Sequence, residues 1–122
     1  MEFIQAVDFK ALTASNERWS QELLAADLTD SCSIKIVKTP AGEGSPAGLH
    51  THEVDQIFYV LSGTMNIEIR GSIHVAGPGT LVVFPAGVPH RNWNSGEEAT
   101  THLSIVVPPA PSDVPFATPV TP

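Results

Sequence analysis

From Cys32 onward the apolar stretches are short, and a glycine or proline ends almost every one. Ser31–Lys38 alternates in character and stops at Thr39-Pro40. Gln56–Leu61 is aromatic and β-branched and stops at Ser62-Gly63. Met65–Arg70 puts Met65, Ile67 and Ile69 on one face and Asn66, Glu68 and Arg70 on the other. Gly71-Ser72 is a turn, Ile73–Val75 a short strand, and Gly77-Pro78-Gly79 another turn. Thr80–Phe84 and Thr100–Val107 complete the set. Short strands with this punctuation predict an all-β antiparallel barrel or sandwich. No crossover helix separates them, which argues against a parallel α/β sheet.

The chain has 122 residues, enough for one domain, and 42% are hydrophobic, enough for one core. Its net charge is −7 with six Lys and Arg, so a basic stripe for nucleic acid is not expected. No run approaches the roughly 18 apolar residues that span a bilayer. The start, Met1-Glu2-Phe3-Ile4-Gln5, lacks the basic and apolar regions of a signal peptide. A cytoplasmic location is the expectation. The single cysteine, Cys32, cannot form an internal disulfide and reads as a small buried hydrophobe.

The two ends differ from the middle. Residues 1–30 carry six acids and two basic residues. Asn16 to Leu24 reads either as a short helix, with Trp19, Leu23 and Leu24 near one face, or as an extended edge segment. Residues 108–122 contain six prolines and no Lys or Arg, with Phe116 as the one large anchor. Such a tail is not expected to supply a regular ladder. It is either disordered or laid along the barrel or a partner.

The residues that carry chemistry lie between these ends. His50 and His52 are one residue apart, and Gln56 follows four residues later. Alternate side chains of a strand share a face, so all three can point into one cavity. His90 follows Pro85-Ala86-Gly87, a turn into a new strand. Three converging imidazoles would hold a divalent transition metal. Glu53 and Asp55 fall on the opposite face and read as exposed charges at a rim.

The spacings Gly44-x5-His50-x-His52-x3-Gln56-x6-Gly63 and Gly79-x5-Pro85-x-Gly87-x2-His90-x3-Asn94 resemble the two motifs of the cupin superfamily. The second matches at every defined position. The first departs at Gln56, where the family usually has glutamate. The resemblance implies an antiparallel β-barrel, or jelly roll, over residues 1–107. That barrel carries an N-terminal extension at 1–30, metal motifs at 44–63 and 79–94, and a tail at 108–122. It implies His50, His52, Gln56 and His90 as metal ligands and a homodimer as the assembly, with Trp19–Leu24 suited to strand exchange.

A neutral amide in place of a carboxylate leaves the site one unit more positive. That favours a stronger Lewis acid and an anionic substrate, at the expense of weaker metal binding. Gln56 could instead hydrogen-bond water in the site, or the site could take no metal. The ion could be Zn, Mn, Fe, Ni or Co.

His102, in Thr101-His102-Leu103, shares a face with Ser104 and Val106. One reading leaves it on the solvent side of a half-buried strand. The other rests on similarity to small bacterial cupins of the hydroxynitrile-lyase type, which share the His-Thr-His-x3-Gln motif and a Thr-His-Leu segment at this spacing. That similarity implies a catalytic acid/base role for His102.

His74 reads as a surface residue, Trp93 as an interface residue and Asn94 as a structural one. Phe58, Val60, Val82 and Phe84 are candidates for apolar lining; Tyr59 has the opposite parity. The function expected is a metal-dependent enzyme acting on a small oxygenated organic substrate, of lyase, isomerase, cyclase or dioxygenase type. The rival is a non-catalytic module that binds or senses a small ligand around a structural metal.

Overall fold

The computed structural model describes residues 3–25, 27–44, 48–110 and 116–120. A helix α1 (Phe9–Ala14) precedes ten strands: β1 (Trp19–Leu24), β2 (Ser33–Thr39), β3 (His50–Thr51), β4 (Asp55–Ser62), β5 (Met65–Ile69), β6 (Ser72–Ala76), β7 (Leu81–Phe84), β8 (His90–Trp93), β9 (Thr100–Val107) and β10 (Thr118–Pro119). They form two antiparallel five-stranded sheets, ordered β1-β2-β9-β4-β7 and β10-β3-β8-β5-β6. The all-β jelly roll expected from the punctuation is the fold observed.

The core lies between the sheets. Phe58, Val60 and Phe84 come from the first sheet and Met65, Ile67 and Ala76 from the second. The alternation along β5 decides which residues enter: Met65 and Ile67 are buried. Burying side chains of this size contributes about 1.5–3 kcal/mol each before chain entropy is charged against it.

Two motif glycines are where the chain has no room for a side chain. A Cβ on Gly44 would lie 2.5 Å from Trp93 Cα and 2.6 Å from the Asn92 carbonyl oxygen. Gly63 turns the β4–β5 hairpin at φ +74°, and a Cβ there would sit 2.6 Å from the Ala99 carbonyl oxygen. Both close approaches hold β8 and β9 in place around the cavity. Asn94 has the structural role its motif position suggested. Its Nδ2 donates to the Thr39 and Glu98 carbonyls, and its Oδ1 accepts from Gly96 N.

In the N-terminal extension, the edge-segment reading of Asn16–Leu24 holds and the helix reading does not. The helix lies earlier, at Phe9–Ala14, capped by Asp8, whose side chain accepts from Ala11 N. Trp19–Leu24 is the edge strand β1, paired with β2 from Trp19↔Lys38 onward. Lys38 fixes the corner between them, donating from Nζ to the Leu12 and Ser15 carbonyls at 2.7 and 2.8 Å.

The described part of the tail lies along the barrel, as one of its readings had it, and only the absence of a ladder is corrected. Thr118 and Pro119 do join a ladder, opposite Thr51 and His50. Proline is tolerated because β10 is the edge strand of its sheet, where a missing N–H can face away from the neighbour. Cys32 is half-buried, just before β2, and is less enclosed than its strand-like surroundings suggested.

Candidate metal centre

Strand pairing brings the three motif histidines together. His50 on β3 lies directly opposite His90 on β8. His52 follows just after β3, held where its carbonyl accepts from Gly87 N at 2.9 Å. The three rings pack edge-on or tilted, with centroids 4.5–4.9 Å apart. All three residues are buried, and one ligating nitrogen from each lies within 4.8 Å of the others.

The outer ring nitrogens of His52 and His90 are engaged by backbone. His52 Nδ1 bonds the Phe116 carbonyl at 2.8 Å, and His90 Nδ1 bonds the Val88 carbonyl at 3.0 Å. Donation to a carbonyl fixes each proton on the outer nitrogen and leaves a lone pair on the inner one.

His50 Nδ1, His52 Nε2 and His90 Nε2 are buried with no hydrogen-bond partner. Three orphaned acceptors clustered in a protein interior are costly, unless something that accepts lone pairs sits between them. A divalent cation is such a group, so the residues fit the metal that the motif spacing implies.

Protonation is suppressed as a metal site requires. Burial pushes His90 down to about 4, opposed by its bond to Val88 and aided by His50 and His52. Burial first, then the neighbouring His52, lowers His50.

The outer shell is aromatic. Phe84, fully buried, stacks on His90 with centroids 4.2 Å apart and meets Phe58 edge-on at 4.9 Å. Phe116, the tail's anchor, stacks on His52 at 4.0 Å. The tail therefore supplies both a covering ring and the carbonyl that orients His52. Its place against the cluster follows from contacts far apart in sequence, and only its bulk among prolines hinted at it.

Gln56 is buried on β4, with Nε2 donating to Ser104 Oγ at 3.0 Å on β9. It lines a cavity of about 220 Å³ together with His50, His52, Phe58, His102 and Phe116. His102 is thus not on a solvent side. It is 3% exposed, packed against the Phe58 ring at 4.2 Å, and its Nδ1 has no hydrogen-bond partner. Burial, reinforced by the charge of Arg18, pushes it down to about 4.

Other candidates fall elsewhere. Glu53 and Asp55 are exposed, and Asp55 accepts from Ala86 N at 2.8 Å. His74 is exposed. Trp93 is half-buried beneath the Arg91 guanidinium, 4.5 Å from its ring centre. Arg18, absent from the candidates read in the sequence, also lines the cavity. A lone arginine ahead of an edge strand carries no local signal of such a place.

Solved structures with this architecture include the polyketide cyclase RemF from Streptomyces resistomycificus. It is 22% identical over 86% of this chain and 72% of that one, with a TM-score of 0.72. The DMSP lyase DddQ from Ruegeria pomeroyi is 18% identical over 98% of this chain and 58% of its own, with a TM-score of 0.68. The cupin domain of an XRE family transcriptional regulator from Enterobacter cloacae is 22% identical over 74% of this chain and 95% of its own, with a TM-score of 0.64. At these identities the likeness is one of fold. No curated protein sequence matches the chain. The cupin domain family model matches residues 35–107, more than half of the sequence and both histidine motifs. The chain belongs to the cupin family.

Proposed function

We propose that this protein is a metal-dependent enzyme acting on a small oxygenated organic molecule by lyase, isomerase or cyclase chemistry. One observation carries the reading: three orphaned imidazole nitrogens cluster beside a cavity lined by a fourth buried histidine, His102, whose Nδ1 has no hydrogen-bond partner. A divalent transition metal held by His50, His52 and His90, with Gln56 beside them, would supply Lewis acidity toward a carbonyl, carboxylate or enolate oxygen.

The chain's own residues would do the rest. Burial keeps His102 neutral at pH 7, so Nδ1 can accept a proton from a carbon next to the polarised group. The C–H electron pair is then shared with the substrate oxygen, and the proton returns from Nδ1 to close an isomerisation or assist a departing group. The Phe58 ring fixes the imidazole plane. Phe116 covers His52 and limits water. Because Gln56 is uncharged, the ligand set leaves the ion's charge undiminished, which favours this chemistry over dioxygenation. The resemblance to a polyketide cyclase and a DMSP lyase is in keeping with it.

A sensing module around a structural metal is the second reading, and the fold shared with a regulator's cupin domain favours it. An open cavity at the histidines speaks for the enzyme.

The test is deuterium uptake from D2O into a panel of small oxo and hydroxy acids, followed by NMR. Exchange is expected with the metal-loaded protein, and is expected to drop by about 100-fold or more in His102→Gln, at the scale of a lost general base, while metal content holds. Full exchange after chelation would remove the mechanism.

The assembly we propose is a homodimer. The outer face of the β1-β2-β9-β4-β7 sheet leaves Tyr59, Leu61, Leu81 and Val83 exposed, an apolar surface that a second copy would cover. A sedimentation mass of one chain would refute this.

A further inference from the structure

We infer that the substrate is a small carboxylic acid whose carboxylate is held by Arg18, with its reacting oxygen turned toward the three histidines. This rests on the enzymatic reading above and adds the substrate class to it.

The geometry begins with the corner between α1 and β1. Ser15 Oγ donates to the Glu17 carbonyl and accepts from Glu17 N, closing a tight turn immediately before Arg18. Lys38 clamps the same corner through the Leu12 and Ser15 carbonyls. Arg18 is therefore set on a braced turn, although it lies outside both α1 and β1.

Along β1, Ser20 pairs with Val37 and Glu22 with Lys35. Val37, Lys35 and Glu22 line a second cavity, of about 400 Å³. Arg18 has the same parity and lines it too. It also lines the histidine cavity, and Gln56 and Phe116 are shared between the two. The two spaces thus adjoin, and Arg18 stands at their junction.

The charges at that junction are unbalanced. Lys35 has Glu22 directly opposite in the ladder. Arg18 has no ion pair or hydrogen bond to its side chain among the described residues, where Arg91 with Glu68 is the salt bridge seen. Its fork of donors matches a carboxylate in two-point geometry. Val37, Val106 and Phe116 offer an apolar wall for the body of such a molecule. Arg18 also lies close enough to His102 to help keep it unprotonated. A carboxylate seated on the guanidinium would cancel that influence, making His102 a better base only once substrate is bound.

The test uses zinc-loaded protein and three probes of increasing length: glycolate, 3-hydroxypropionate and 4-hydroxybutyrate, each against its uncharged carboxamide. Calorimetric titration should show at least one acid binding about 10–100-fold more tightly than its amide, the scale of charge-assisted hydrogen bonds. Arg18→Gln should reduce that preference to below about 3-fold, with Arg18→Lys between them and zinc affinity unchanged in both.

An acid preference that survives intact in Arg18→Gln would overturn the inference, since the metal alone would then be holding the carboxylate. So would the absence of any preference in the wild type. If neither zinc nor manganese, iron, nickel or cobalt binds, the enzymatic reading falls by itself. The same comparison on metal-free protein would then judge Arg18 alone, with an Arg18-dependent preference upholding its role and none refuting it.

Discussion

His90→Ala protein is expected to lose divalent-metal affinity by more than about 100-fold while keeping its β fold. Removing a group that merely orients a ligand typically costs 10–100-fold, and removing a ligand itself costs more. His90 is the most enclosed of the three histidines, at 1% exposure, and its inward Nε2 has no partner other than what the cluster would hold. His50→Ala should behave alike, because the two residues face each other across β3 and β8. The loss should be measured by competition with a chromophoric chelator. Circular dichroism of the same samples separates a lost ligand from a lost fold. A folded His90→Ala protein that binds as tightly as the wild type would remove His90 from the ligand set.

Phe84→Ala is the second large effect. Phe84 is fully buried, touches the core through Phe58, and stacks on His90. Truncating a buried phenylalanine typically costs about 3–5 kcal/mol from lost burial and the cavity left behind. That is a large share of the stability of a domain this size, and should lower the melting temperature by roughly 10 °C or more. The metal site should weaken with it, because the His90 ring loses the surface that holds its plane. Phe84→Leu retains most of the volume and should lose less stability. Its metal affinity should still fall, since a leucine cannot stack. Equal melting temperatures for Phe84→Ala and wild type would show that the core does not run through this residue.

The barrel was legible because its determinants are local. Period-two alternation in Met65–Ile69 and the turn residues at Gly63, Gly71 and Gly79 act over a few positions. The motif spacing named His50, His52, Gln56 and His90. The single strand expected for the first three is broken after Thr51, with Gln56 on β4, so their meeting rests on strand pairing and not on parity along one strand.

What stayed hidden is long-range. No local pattern tells which strand His50 will face, or that its partner residue is His90, forty positions on. The same is true of the tail. Proline density argued against a ladder, yet an edge position on β3 let Thr118 and Pro119 pair and brought Phe116 onto His52. His102 illustrates the limit from the other side. Alternation separated it correctly from Leu103, but could not say whether its face was solvent or cavity. Its enclosure follows from tertiary placement: β9 is central in its sheet, between β2 and β4, and His102 lines the cavity with residues from other strands. Arg18 depends on a corner fixed by Lys38 from another strand, so its position was out of reach of the sequence around it.

The central claim is that His50, His52 and His90 hold a divalent transition metal. Elemental analysis of protein purified without added metal tests it most directly, run beside His50→Ala and His90→Ala purified identically. The account predicts about one transition-metal ion per wild-type chain and close to none in either variant. Folded wild-type protein that carries no metal and takes up none from a zinc, manganese, iron, nickel or cobalt solution would contradict it.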